Sequence, residues 1–477
     1  MKNRIVKIFL FFSLLLFVSI MGAAQTNSKN ELPRGTVIEQ VVCQKDASQS
    51  YALYLPTNYA PEKKWAILYA FDPFGSGKSP VEIFRDAAEK FGFIVVGSNN
   101  SRNNIGGEKL TKIITDLWAD THARFSIDEK RSYAVGLSGG ARVANYFAIS
   151  CRNCLAGVIA CGATFPPKFP LDKPLPYALF GTVGVDDFNF PEMVKAFENL
   201  NETDSTNHLA VFDGKHQWLT KDLTFDAIEW LDLQAMKSGR MATDKKFVED
   251  LLAKQTGKAE TLSQTGDNLE AARIYEGIVT DFKDAADTKN AAEKLSEIRG
   301  QKSYKKSLDE EKDLFGRQQR TAKKIMAMGA ELLDAPNENA ALKRISNEVE
   351  DWRQKSKAAA DSPERRLARR ILDQVFVETY ETALYVNRPE KDYKMMSANL
   401  ELTRLVNPQN SIVLLELARA FALANRKKDA LNAVGEAVAK GLKDCARIIG
   451  SPEFTSLRGE KQFQKIIEQL NCSNEGT

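Results

Sequence analysis

The sequence predicts an α/β fold, a mostly parallel sheet with helices on both faces, followed by an all-α C-terminal domain. Three observations carry this. Between residues 35 and 238, short β-branched and aromatic runs alternate with helical stretches. Several runs are apolar throughout, as in Trp65–Phe71 (WAILYAF), which a strand requires when both faces of its sheet are covered. Beyond residue 240 the strand-like runs vanish, and Ala, Lys, Glu, Leu and Arg dominate.

Taken in order, 37–43 and 51–55 read as strands followed by turn residues, and Trp65–Phe71 as a buried strand. A helical pattern covers 80–91, and 93–97 (FIVVG) returns to strand. The stretch 109–125 sets Leu110, Ile113, Ile114, Leu117 and Trp118 on one helical face. Strand 131–137 leads to helix 141–150. Strands 155–161 and 177–183, helix 191–201, strand 209–212 and helix 219–236 complete this half. In the second half, Gly266-Asp267 precedes Ala271, Tyr275 and Ile278. A later run sets Leu414, Leu417, Ala418 and Phe421 before Ala430, Val434 and Ala437. Small residues sit where paired helices would touch. These stretches, about 260–298 and 390–470, resemble tetratricopeptide repeats; an irregular helical bundle is the alternative. The dense charge over 301–370 reads as solvated faces of long helices.

Length and charge narrow the function classes. A chain of 477 residues implies two or three domains. Residues 1–24 read as a signal peptide: Lys2, Arg4 and Lys7, then an apolar run to Ile20, then Gly22, Ala23 and Ala24 before a cleavage point at Gln25. An uncleaved anchor is the alternative, but the run is short for spanning a bilayer. The protein is therefore expected to be exported, periplasmic or secreted, with no membrane span. Without the three leader cations, the 66 basic residues fall to the number of acidic ones, 63. That balance disfavours a nucleic-acid partner. Six cysteines, Cys43, Cys151, Cys154, Cys161, Cys445 and Cys472, suit an oxidising compartment. The sequence does not select their pairing, although Cys445 with Cys472 could staple the C-terminus. Cys151 and Cys154 form a CxxC, but no histidine lies near to complete a metal site. Neither a metal nor a cofactor is expected. Cys161 reads as a buried strand residue.

The chemistry concentrates in 131–149, RSYAVGLSGGARVANYFAI. A strand runs into Gly136-Leu137-Ser138-Gly139-Gly140 and a helix follows at once, which is the setting G-x-S-x-G requires. The turn lifts the serine to the C-terminal edge of the sheet, where a helix N-terminus stabilises oxyanions. A serine hydroxyl needs a base, and the chain has three histidines. His122 belongs to a helix and reads as a surface residue, and His208 begins a strand at the wrong edge. His216, in Asp213-Gly214-Lys215-His216-Gln217-Trp218, follows the last strand at the ligand-binding edge. An orienting carboxylate is expected between them, in Gly184-Val185-Asp186-Asp187-Phe188-Asn189-Phe190. Both aspartates sit at the right edge. The residues alone leave either Asp187 or Asp186 as the orienting acid.

On GLSGGARVA, GVDDFNF and DGKHQW, residues 35–238 resemble an α/β-hydrolase of the exported carboxylesterase type, the group of poly(3-hydroxybutyrate) depolymerases, feruloyl esterases and dienelactone hydrolase-like proteins. The resemblance implies a domain over 25–239, with a helical domain over 240–477. It implies ester hydrolysis through Ser138, His216 and Asp187, and an oxyanion hole made by the Gly139 and Phe74 amides. Here the sequence departs from the family: Asp72-Pro73 stands where the group carries His-Gly. A carboxylate at 72 is unfavourable beside an oxyanion unless it is paired or points away. Asp72, Asn99, Arg102 and Trp218 are candidate substrate-binding residues. Gly77-Lys78-Ser79 mimics a phosphate-binding loop, but position 72 lacks the first glycine and Pro73 lacks an amide. The loop 162–176 is too short for a helical lid, so an open site is expected, suited to a small or polymer-borne ester. The helical half would bind a protein or polymer partner. A competing reading makes the chain an interaction protein with an inactive hydrolase module.

Overall fold

The computed structural model describes residues 32–166, 169–333 and 336–470. The expected leader 1–24 and Cys472 lie outside the described residues. Eight strands form one sheet: β1 (Val37–Val42), β2 (Ser50–Tyr54), β3 (Trp65–Phe71), β4 (Phe93–Ser98), β5 (Ile127–Leu137), β6 (Gly157–Cys161), β7 (Ala178–Gly184) and β8 (Asn207–Phe212). Their order is β1-β2-β4-β3-β5-β6-β7-β8. The first two pairings are antiparallel, and every pairing from β4 to β8 is parallel. This is a mostly parallel α/β sheet of the kind the sequence predicts.

Five helices cover it: α1 (Lys78–Phe91), α2 (Gly107–Arg124), α3 (Gly139–Ser150), α4 (Phe190–Asn201) and α5 (Lys221–Lys237). Strand β3 shows why the run is apolar without interruption. Trp65, Ile67, Tyr69 and Phe71 enter one core, with Phe147 of α3 and Leu117 of α2. Ala66, Leu68 and Ala70 enter the other, with Phe84 of α1 and Trp230 of α5. Side chains alternate across the pleat, and both faces need apolar cover.

The C-terminal half is helical: α6 (Lys245–Gln264), α7 (Asn268–Asp281), α8 (Lys289–Gly300), α9 (Lys302–Glu331), α10 (Glu338–Ser356), α11 (Pro363–Thr382), α12 (Tyr393–Val406), α13 (Ser411–Leu423), α14 (Lys427–Ala439), α15 (Cys445–Ile449) and α16 (Lys461–Gln469). Polar caps mark several starts, including Asp244, Asp267 and Ser362, whose side chains accept from the amides three residues on. Pro363 at the first position of α11 suits its fixed φ. Neighbours in sequence pack as pairs, α6 with α7, α12 with α13 and α13 with α14. The two halves share a core: Leu233 and Met236 of α5 are buried with Val248, Leu251, Tyr275 and Ile278.

The charge-dense stretch is not uniformly solvated as expected. Gln318 and Arg370 are 2% and 4% exposed, because α9 and α11 turn those residues towards the sheet domain. His122 is half-buried rather than at the surface, stacked on Trp118 with Nδ1 2.8 Å from the Trp118 carbonyl oxygen. Cys151 and Cys154 form a disulfide, and Cys43 and Cys161 are buried free thiols. No helix among the described residues is long and apolar enough to cross a membrane.

Candidate active site

Strand β5 ends at Leu137, α3 begins at Gly139, and Ser138 between them has φ 54° and ψ −120°. A serine rarely adopts such a backbone, and it persists only where the surroundings hold it. Here they do. The Ser138 amide donates to the Cys161 carbonyl at 2.8 Å. A Cβ at Gly136 would stand 2.1 Å from the Gly140 carbonyl, and one at Gly140 would stand 1.9 Å from the Phe71 carbonyl oxygen. Three backbones thus meet where no side chain fits. The Gly139 amide, first in α3, has no intrahelical acceptor and points where the helix dipole favours negative charge.

His216 reaches the same edge on the loop after β8. Its Nδ1 lies 2.9 and 3.0 Å from the two oxygens of Asp187, the geometry of an N–H donating to a carboxylate. Asp187 also accepts from the Asn189 amide at 2.8 Å and is 1% exposed. The Phe188 ring lies 4.5 Å from the imidazole. Gly162 leaves room for the pair, since a Cβ there would stand 2.8 Å from Asp187 Oδ2. With Nδ1 committed to Asp187, Nε2 is left to exchange protons. Among the described residues no hydrogen bond joins Ser138 Oγ to His216; such contacts are often loose in unliganded sites. Asp186 faces elsewhere: its Oδ2 accepts from Arg369 of α11 at 2.5 Å.

The other candidates distribute differently from expectation. The Phe74 amide donates to Asp72 Oδ1 at 2.8 Å, so in this structure it is not free for an oxyanion. The carboxylate of Asp72 is paired, its Oδ2 accepting from Trp218 Nε1 at 3.1 Å. Asp72 and Trp218 therefore hold each other. Asn99 is engaged by β1 and β2, donating to the Glu39 carbonyl at 3.1 Å and to Ser50 Oγ at 3.3 Å. Arg102 is exposed. Lys78, of the phosphate-loop mimic, pairs with Glu39 at 2.6 Å. His208 meets Asp281 of α7 at 2.7 Å, a contact between the two halves.

The open site expected from the short 162–176 loop is not what the structure holds. Cover comes from the C-terminal half instead. Helix α11 crosses the C-terminal edge of the sheet, tied to Asp186 by Arg369 and to Asn103 by Glu381, whose Oε1 accepts from Asn103 Nδ2 at 3.3 Å. Gln318 of α9 donates to the Phe188 carbonyl at 2.7 Å and to Gln374 of α11 at 3.1 Å. Arg370 stacks over the Phe190 ring at 5.1 Å, and burial pushes its guanidinium down to about 10. Asn103 in turn packs on the turn that carries Ser138, where a Cβ at Gly139 would stand 1.8 Å from its Oδ1. Asp373 lies one turn beyond Arg369, within electrostatic reach of Lys215, Asp186, Asp187 and His216. No sequence motif marks Arg369, Asp373, Glu381 or Gln318. A hint exists only in the polar groups they place on helix faces that also carry buried residues.

No family model matches the chain, and no curated protein matches it in sequence. Solved structures similar to it include the S954A mutant of the feruloyl esterase module from Clostridium thermocellum, at 17% identity and TM-score 0.36, covering 42% of this chain and 89% of that one. S-formylglutathione hydrolase (FrmB) from Staphylococcus aureus is similar at 15% identity and TM-score 0.35, covering 42% of this chain and 99% of that one. A Bacillus cereus carboxylesterase is similar at 17% identity and TM-score 0.33, covering 40% of this chain and 97% of that one.

Proposed function

We propose that the chain is a serine hydrolase that cleaves carboxylic esters through an acyl-enzyme. The observation that supports the reading is a strained Ser138 at the same sheet edge as a His216–Asp187 pair joined at 2.9 Å. His216 Nε2 takes the Ser138 proton as Oγ attacks the ester carbonyl, and Asp187 stabilises the imidazolium. The Gly139 amide faces the developing oxyanion. His216 then returns the proton to the leaving alcohol, and water repeats the sequence to release the acid. Phe74 is the second oxyanion donor if substrate draws its amide away from Asp72.

The test is active-site labelling. The wild-type protein should react with a fluorophosphonate probe at Ser138, and Ser138→Ala should abolish both labelling and ester hydrolysis while the fold persists. Residual turnover above about 1% of wild type would count against the assignment, since triad loss costs roughly 10⁴-fold.

One observation favours a second reading, a binding module with a weak or inactive hydrolase site: the Phe74 amide is engaged by Asp72. That reading expects no labelling. The remaining proposals follow the sequence. Residues 1–24 are an export signal, 25–239 the hydrolase domain and 240–477 the helical domain. Its helix pairs are tetratricopeptide-like and suited to a protein or polymer partner.

A further inference from the structure

We propose that Asp373, carried by a helix of the C-terminal half, is a specificity-determining residue of the ester site, where its carboxylate accepts a hydrogen bond from a hydroxyl or ammonium group on the substrate. This rests on the reading of Ser138, His216 and Asp187 as the hydrolytic triad.

Three observations meet on this residue. First, α11 is held over the catalytic edge at separated points. Arg369 binds Asp186 beside the triad carboxylate, and Glu381 binds Asn103 beside the nucleophile turn. The anchors are twelve residues apart, about 18 Å of helix, so the segment between them passes over the site. Second, Asp373 lies in that segment, one turn from Arg369 on the same face, and its charge interacts with those of His216 and Asp187. Third, Asp373 is half-buried yet has no hydrogen-bond or ion-pair partner among the described residues.

The groups around it do not satisfy it. Arg369 is committed to Asp186 and Arg366 to Asp361. Lys215 attracts it but is exposed, and Asp186 and Asp187 repel its charge. Burial, reinforced by those two aspartates, pushes its carboxyl up to about 6. A partly desolvated acceptor without a partner favours any ligand that brings a donor. Such a site discriminates against an analogue lacking the donor, because the acceptor is then left unpaired.

Matched ester pairs test this on the full chain. One pair is 4-nitrophenyl 3-hydroxybutyrate against the butyrate. A second is glycerol monobutyrate against propyl butyrate. The third is 2-(dimethylammonio)ethyl butyrate against 3-methylbutyl butyrate. At pH 7.5 the wild type should prefer the donor-bearing member of at least one pair by about tenfold or more in kcat/KM. Asp373→Leu should bring that ratio to within about twofold of unity, and Asp373→Glu should restore part of it. Asp373→Asn separates the sources: a hydroxyl preference survives in part, and an ammonium preference disappears. The ammonium preference should also fade at pH 5 in the wild type, a change that the shared base His216 cannot produce in a ratio. Equal ratios in wild type and Asp373→Leu would overturn the inference. So would an ammonium preference retained by Asp373→Asn, which covers the case of an unstable leucine variant. A neutral fluorophosphonate should label Ser138 in both proteins, at whatever rate, which reports that each retains a folded site. Labelling with unaltered ratios removes the inference alone, whereas an unlabelled wild type removes the hydrolase reading and the inference with it.

Discussion

Two adjacent aspartates leave β7 on one loop and meet different partners. Asp187 faces His216, whereas Asp186 faces Arg369 of α11. Asp187→Asn should therefore lower kcat by roughly 10³–10⁴-fold, because the amide no longer fixes the imidazole tautomer. Asp186→Asn should lower it far less, and steady-state kinetics of the two variants decide the ranking. A second residue bears on stability. Asp232 of α5 is buried, and one of its carboxyl oxygens has no hydrogen-bond partner. Burial raises its carboxyl to about 7, Arg131 offsets part of the rise and Glu229 adds to it. The folded state then holds a proton that the unfolded chain releases above pH about 4. Stability attributable to this group falls as pH rises between those two values. Asp232→Asn should raise the urea midpoint at pH 8, by a free energy on the order of 4 kcal/mol, and leave it unchanged at pH 4.

At the scale of elements, the strand–turn–helix from β5 to α3 has almost no freedom. The Gly140→Ala substitution would drive a methyl group into the Phe71 carbonyl. We expect a loss of about 3 kcal/mol or more, with a separated or distorted β3–β5 pair. A thermal midpoint indistinguishable from wild type would contradict that geometry. Helix α11 is the other defining element. Its start is set locally by Ser362 and Pro363. Its function is set by what it crosses. Its stripe of Leu367, Ile371 and Val375 is buried in the helical half, and nothing in that local pattern says that Asp373 would meet the far edge of another domain.

At the scale of the molecule, the two halves are joined by more than a linker. Leu233 and Met236 are buried among residues of α6 and α7, Phe190 packs on Phe315 at 5.7 Å, and His208 pairs with Asp281. A fragment ending near residue 239 contains all three triad candidates, and the sequence leads one to expect activity from it on a small aryl ester. The packing argues otherwise. That fragment would expose Leu233, Met236 and Phe190 and leave Asp186 without Arg369. We expect it to be aggregation-prone and weakly active, and supplying 240–477 in trans should restore solubility and turnover. Full activity of the soluble fragment on both small and large esters would show that the helical half does not shape the site.

The sheet, its order of strands and helices, and the glycine-framed serine were legible because they depend on near neighbours: alternation across a pleat, a turn that excludes side chains, a cap before a helix. The same reading named Ser138, His216 and both aspartates, since each follows a strand at one edge of a parallel sheet. The residues alone do not separate Asp187 from Asp186, and only the resemblance favours Asp187, because adjacent residues on one loop differ only in the partner they face. The engagement of Phe74 by Asp72 depended on loop geometry with no periodic signature. The cover over the edge was decided by tertiary packing alone. Arg369 and Asp186 are 183 residues apart. No local pattern encodes a contact of that separation, which exists because the apolar faces of two halves exclude water together and bring their polar rims into register.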